Sequence, residues 1–295
     1  MGELAEARMT KRAVVTGANS GIGLATALRL ARDGFEVWAG ARRADGLTAI
    51  ADAAADAGLD DIHPVQIDVT DGHSVDAAFA MIAEAGPVSV LVNNAGITGA
   101  GSVEETDVAT WQQMFDTNVL GVVRCTQHVL PAMREARDGR IVNISSSSAI
   151  TSPPLMAPYA TTKMAVEGIT ESLQAEVAPY GIRVVAIQAG TILTPIWGKN
   201  EAPPEDTAYP VARDFLLAVL SHQLTRSGVP AETVADAIAE VVADPDPPLR
   251  RLVGDAEVMA AIRERGGDEA VTVHLRDGDD FRARYTELSG IDYWP

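Results

Sequence analysis

What most constrains this chain is an alternation. Short runs of aliphatic and β-branched residues are each followed by an Ala-rich stretch with helical spacing. RAVVTG leads into GIGLATALRLARDG, which ends at Gly34, a C-cap residue. EVWAGA precedes ADGLTAIADAAADAG, and HPVQIDV precedes SVDAAFAMIAEAG. VSVLVNNAG precedes a long helical region, TDVATWQQMFDTNVLGVVRCTQHVLPAMREAR, for which Thr106 is the expected N-cap. GRIVNISS, IRVVAIQ and RRLVG complete the strands, with the helices APYATTKMAVEGITESLQAEVAPYG and PAETVADAIAEVVAD between them. Strands joined through helices pair in parallel, since the crossover returns the chain to the same edge. Their unbroken apolar character fits burial on both faces. The expected fold is α/β: a doubly wound, seven-stranded parallel sheet with helices on both faces, in a single domain.

No repeat or linker divides the chain. Residues 1–10 read as an N-terminal tail and 11–254 as the domain. A polar, Pro-rich stretch at about 194–229 is the expected lid. From Asp255 the pattern fades and charge increases, so 255–295 reads as a C-terminal extension with two short helices. Apolar residues make up 47% of the 295, enough for a large core, and aromatics only 5%, so aliphatic packing must dominate. The net charge of −18 repels phosphate backbones and anionic lipid, so neither nucleic acid nor a membrane surface is an expected partner. The lone cysteine, Cys125, rules out a disulfide framework and a cysteine-based zinc site, and it reads as a buried small side chain. Five dispersed histidines (His63, His73, His128, His222, His274) show no metal or triad spacing, so no metal is expected. Asn143-Ile144-Ser145 matches a glycosylation acceptor, but it falls in an expected buried strand and is set aside. The first residues lack a signal peptide's apolar core, and no apolar run would span a bilayer; the expectation is a soluble cytoplasmic protein.

Between the first strand and first helix lies Thr16-Gly17-Ala18-Asn19-Ser20-Gly21-Ile22-Gly23. Glycine suits a backbone that must turn sharply or approach a ligand closely. The helix start behind it offers free N–H groups and a positive dipole to a pyrophosphate. The spacing is GxxxGxG rather than GxGxxG, but the strand-turn-helix setting points to dinucleotide binding and a Rossmann-type architecture. The end of the second strand reads Ala39-Gly40-Ala41-Arg42-Arg43. No carboxylate stands there for a ribose 2′-hydroxyl, and Arg42 and Arg43 suit a 2′-phosphate, so NADP(H) is the expected cofactor, with NAD not excluded.

Tyr159 and Lys163 are four residues apart on an expected helix and share one face. A free phenol has a pKa of about 10, and a neighbouring ammonium is expected to lower it. Such a tyrosine can protonate a carbonyl under reduction or deprotonate an alcohol under oxidation. The run Ser145-Ser146-Ser147-Ser148 ends the fifth strand, where ligands of a parallel sheet bind, and one of these hydroxyls can polarise a substrate oxygen. No GxSxG elbow surrounds them, so a serine nucleophile is not expected.

With these residues assembled, the chain resembles the short-chain dehydrogenase/reductases. It carries TGxxxGIG at Thr16 to Gly23, NNAG at Asn93-Asn94-Ala95-Gly96, Asn118 within FDTNVLG, a serine before Tyr159, and YxxxK at Tyr159 and Lys163. The resemblance runs from about Lys11 to Gly254. It implies Tyr159 as acid/base. It implies Lys163 as the group that lowers its pKa and holds the nicotinamide ribose, and Ser146 as the residue that orients the substrate oxygen. Asn118 would hold a water that links Lys163 to solvent. Gly17, Asn19, Ser20, Gly21, Ile22 and Gly23 would cradle the cofactor phosphates; Asp68 and Val69 would border the adenine. Asn94, Ala95, Gly96, Gly190, Ile192 and Thr194 would line the remainder of the cofactor groove. Ala189 departs from the family's proline, so the turn beside the nicotinamide is expected to be looser. Family members pair through the helices bearing Asn118 and Tyr159, implying a homodimer or homotetramer.

The expected activity is NADP(H)-dependent hydride transfer to or from a secondary alcohol or ketone. Leu155, Met156, Trp197 and Phe215 could wall an apolar pocket for a medium or large molecule of steroid, retinoid or polyketide type; they could equally pack the lid onto the body. A non-catalytic dinucleotide sensor and an epimerase or dehydratase on a related fold are the alternatives. The first is disfavoured by the intact Ser146, Tyr159, Lys163 and Asn118, the second by the short C-terminal region and the lid pattern.

Overall fold

The computed structural model describes residues 11–199, 203–276 and 278–293; the expected tail over 1–10 lies outside the described residues. A seven-stranded parallel sheet forms the centre. It comprises β1 (Arg12–Val15), β2 (Glu36–Ala41), β3 (Ile62–Gln66), β4 (Val90–Asn93), β5 (Gly139–Ser146), β6 (Ile182–Ala189) and, last in the chain, β9 (Arg250–Val253). Their spatial order is β3-β2-β1-β4-β5-β6-β9, and every neighbouring pair is parallel. A separate two-stranded ladder pairs β7 (Ile192–Leu193) with β8 (Val229–Pro230).

Side-chain alternation along each strand builds two cores. Val15, Ala39, Val92 and Ile187 face one layer, where they meet Leu30 of α1 (Gly21–Arg32), Ile50 of α2 (Ala44–Asp56) and Ile238 of α8 (Ala231–Ala243). Val14, Leu91, Ile141 and Val184 face the other. There they meet Phe79 of α3 (Gly72–Ala85), Val129 of α5 (Gly121–Ala136) and Leu173 of α6 (Ala157–Val177). The strand order reverses between β1 and β4, which opens a crevice above their carboxyl ends.

The long helical region is not a single α-helix. α4 (Val108–Phe115) passes through one wide π turn, Asp116–Leu120, into α5. Its cap is Asp107, whose carboxylate accepts from Thr110 N at 2.7 Å, rather than the expected Thr106. Both residues are good caps, and only the backbone path selects between them.

The C-terminal segment holds α9 (Ala256–Gly266), α10 (Glu269–Thr272) and α11 (Gly278–Ser289), more helix than the two short pieces expected. It forms a third core with α7 (Pro210–His222), from Val219, Met259, Ile262, Val273, Tyr285, Leu288 and Tyr293. Among the described residues no helix is long and apolar enough to cross a membrane.

Candidate active site

A cavity of about 540 Å³ opens along the carboxyl edge of the sheet. Its first half is the crevice over β1 and β4. Gly17 has φ +64°, and a Cβ there would lie 2.8 Å from Ala95 Cα, so only glycine permits this approach of the two strand ends. Asn94 locks the turn from across the crevice: its Nδ2 donates to Thr16 O (2.8 Å) and Gly17 O (3.0 Å). Thr16 Oγ1 in turn accepts from the backbone N–H groups of Asn94 and Ala95, each at 3.0 Å. Ser20 stands at the N-cap of α1 but makes no side-chain cap bond. The first-turn N–H groups of α1 are thus left for a ligand, in a cradle that glycine keeps clear. These features fit a dinucleotide pyrophosphate.

Gly17, Asn19, Ser20, Gly21, Ile22, Arg42, Arg43, Asp68, Val69, Asn94, Ala95, Gly96, Gly190, Ile192 and Thr194 all line the cavity. Gly23 and Asn118 do not line it: Gly23 packs beneath the turn against Asn94, and Asn118 is buried behind the wall.

The two arginines are not equivalent. Arg43 is engaged with Asp45, Nε to Oδ1 at 3.1 Å and Nη2 to Oδ2 at 3.0 Å. Arg42 makes no ion pair among the described residues. Asp45 also lines the cavity and escaped the sequence reading, although it stands two residues from Arg43.

The second half of the site surrounds Tyr159, in the first turn of α6. Ser146, at the end of β5, acts on the Tyr159 hydroxyl and pulls the phenol pKa down. Ser146 Oγ also accepts from Ser148 N at 3.1 Å, which orients it. Lys163 Nζ lies 5.7 Å from the centre of the Tyr159 ring and donates to Ile144 O at 2.7 Å. One of three ammonium donors is thereby used by the protein. Burial pushes the Lys163 pKa down to about 8, against an upward pull from Glu167 one turn away. Glu167 is itself held by Gln188 (3.1 Å) and Arg250 (2.8 Å).

Tyr159 departs from the sequence expectation. Its phenol is pushed up from the usual value by burial, which outweighs the opposing pull of Ser146. In this state Tyr159 is a neutral proton donor at pH 7. The ammonium that was expected to lower it is itself weakened by burial and turned onto Ile144 O.

Asn118 projects from the π turn. Its Oδ1 accepts from Ile97 N at 2.8 Å, and its Nδ2 donates to Ile97 O (2.8 Å) and Thr162 Oγ1 (3.0 Å). Its side chain therefore pins the loop after β4 to α6. Asn143, set aside as a glycosylation site, is fully buried in β5 and links Asn93 (2.9 Å) to Thr170 (2.9 Å). Cys125 is buried too, its thiol pushed up to about 12. No metal-binding cluster exists among the described residues.

Of the expected apolar wall, Met156, Trp197 and Phe215 line the cavity, while Leu155 does not. Leu155 packs with Met156 and Leu216 in a small core. It also has φ +60°, a left-handed conformation rare for leucine, and its carbonyl accepts from Gly101 N at 2.6 Å. Such strain costs about 1–2 kcal/mol and is typical of functional sites.

Comparison with known proteins agrees with this geometry. The family model described as short chain dehydrogenase matches residues 11–205. An uncharacterised oxidoreductase of Bacillus subtilis (strain 168) is 37% identical over 237 residues, 78% of this chain and 84% of that protein. A short-chain dehydrogenase from Streptomyces avermitilis superposes with a TM-score of 0.75 at 34% identity, covering 95% of this chain and 96% of its own. A single-residue variant of actinorhodin polyketide ketoreductase, solved with NADPH, superposes with a TM-score of 0.72 at 31% identity, covering 82% of this chain and 95% of its own.

Proposed function

The chain belongs to the short-chain dehydrogenase family, and on that premise we propose that it is an NADPH-dependent ketone reductase acting on an uncharged apolar substrate. The observation that carries the reading is the Ser146–Tyr159–Lys163 constellation at the carboxyl edge of the sheet, beside a groove suited to a dinucleotide.

NADPH, when bound, supplies the hydride. The uncapped start of α1 and the Gly17 turn would hold its pyrophosphate, and Arg42 would meet the 2′-phosphate. Support for the phosphorylated cofactor comes from the missing carboxylate at the end of β2 and from the NADPH-bound ketoreductase among the structural neighbours. Ser146 orients the substrate carbonyl and donates to its oxygen. Tyr159 gives its phenolic proton to that oxygen as negative charge develops there. A protonated phenol is the form that this step requires of Tyr159. The Lys163 ammonium stabilises the phenolate left behind and keeps its two remaining donors toward the groove. Asn118 holds the Ile97 loop in place, a positioning role.

The balance of neutral acid and neighbouring ammonium supports catalysis over a non-catalytic sensor. Exposed Val108, Leu120 and Met164, on or beside the helices that bear Asn118 and Tyr159, support pairing of two copies there. A reducing, cytoplasmic setting fits the single buried thiol. The test is a panel of ketones and secondary alcohols followed by NADPH absorbance. Turnover of apolar ketones is expected; tight NADPH binding with no carbonyl reduced across the panel would favour the sensor reading.

A further inference from the structure

The cavity does not end at Tyr159. It continues past the lid to Phe215 and Leu216 of α7, then to Met259 and Ile262 of α9, Val271 of α10 and Tyr285 of α11. All six lie beyond residues 11–205, the part matched to the family. The C-terminal helices are therefore not a free appendage.

Two sets of contacts fix them there. Asp255, immediately before α9, accepts from Thr191 N at 2.6 Å and so joins the helices to the turn after β6. At the other end Phe215 meets Tyr285 edge-on, 5.6 Å between centres at 83°, and stacks on His274 at 5.1 Å. Phe215 and Tyr285 belong to a core that is separate from the two faces of the sheet.

The chemistry of this end is one-sided. The charged residues that line the cavity are Arg42, Arg43, Asp45, Asp68 and Lys163, all in the cofactor half or at the Tyr159 centre. Among the described residues none is contributed by α7, α9, α10 or α11. A carboxylate or phosphate entering this chamber would lose hydration with no cation from these helices to meet it, whereas a hydrocarbon gains by leaving water.

We propose that α9–α11 are the far wall of this chain's own substrate chamber. They select an uncharged carbonyl compound whose apolar body extends from Tyr159 to Met259 and Val271. The inference rests on the reductase reading for the reacting end of that molecule, and concerns what holds the other end.

The test uses the full chain and straight 2-ketones from butanone to nonanone. Each is measured twice: kcat/KM with NADPH, and affinity by calorimetry with NADP⁺ present, which needs no turnover. Both quantities are expected to climb about two- to fourfold per added methylene until the chamber is full. Val271 is 44% exposed, so Val271→Asp adds a charge at the wall without burying one in the fold. It is expected to cut the nonanone-to-butanone ratio about tenfold, and Ala270→Trp to do the same by filling space. Leu275→Asp, on an exposed residue outside the cavity, is expected to leave the ratio at the wild-type value. A flat length series in the wild type, or variants at 270 and 271 with unchanged ratios, overturns the proposal. Length-dependent binding without reduction of any ketone supports the chamber and overturns the reductase reading instead.

Discussion

Asp255 Oδ1 accepts the backbone N–H of Thr191 at 2.6 Å, fastening the segment just past β9 to the turn past β6. Gly190 makes room for this contact: a Cβ there would run into the Asp255 carboxylate. Gly190 N also donates to Val253 O at 3.0 Å. The turn that carries Ala189 instead of proline is thus held by tertiary bonds rather than by a fixed φ, so the looseness expected from the sequence is offset.

Removing that carboxylate tests the point. Asp255→Ala leaves Thr191 N–H buried without its acceptor, a cost of about 1–3 kcal/mol. The thermal midpoint should fall by several degrees. Because Gly190, Ile192 and Thr194 line the cofactor groove, the NADPH dissociation constant should rise as well. Asp255→Asn retains an acceptor oxygen and should recover most of both losses. Unchanged melting and unchanged NADPH binding in Asp255→Ala would contradict the clamp.

Arg42 and Arg43 differ in what they can offer a 2′-phosphate. With Arg43 engaged by Asp45, the proposed discrimination falls to Arg42. Arg42→Ala should weaken NADPH binding about tenfold or more and leave NADH nearly unaffected. Arg43→Ala should do less. Fluorescence titration with both cofactors measures this, and an equal loss for NADH and NADPH in Arg42→Ala would refute the assignment.

The Lys163 ammonium, with its pKa pushed down to about 8, predicts a pH limb. For reduction, kcat/KM should fall as pH rises through about 8, because that ratio reports the free enzyme. Glu167 raises the Lys163 value, so Glu167→Gln should move the limb to lower pH. Glu171→Gln, which alters only an exposed partner of Arg250, should not. Stability has the opposite sign. Between about 8 and the unperturbed 10.5 the folded state binds fewer protons than the unfolded chain, so Lys163 contributes a rise in stability with pH across that window. Below it both states are protonated and the burial penalty is constant. A limb that ignores Glu167→Gln would remove Lys163 from the account.

The sheet, its helices, the glycine turn and the Tyr159–Lys163 pair were legible because each rests on spacing within one element or its neighbour. The features that escaped are long-range or depend on a balance of effects. Asp255 reads as the start of a charged extension, and its partner Thr191 is 64 residues away. Tyr285 and Met259 reach the cavity only because α9–α11 fold back onto α7. No local pattern announces a left-handed Leu155, whose carbonyl accepts from the distant Gly101 N. The phenol shift of Tyr159 was expected downward from the adjacent charge, but burial dominates, and burial is a property of the packed fold. Asp45 stands two residues from Arg43, yet spacing alone does not say which of the two neighbouring arginines it engages.

The central claim is that Tyr159 is the proton donor, held by Ser146 and backed by Lys163. Tyr159→Phe removes one oxygen and retains the ring. The direct measurement is single-turnover reduction of an apolar ketone by the variant, alongside its NADPH dissociation constant. The account predicts a loss of at least about a hundredfold in rate, with NADPH affinity within a few-fold of wild type. Reduction at near wild-type rate, with the cofactor bound as before, would contradict it.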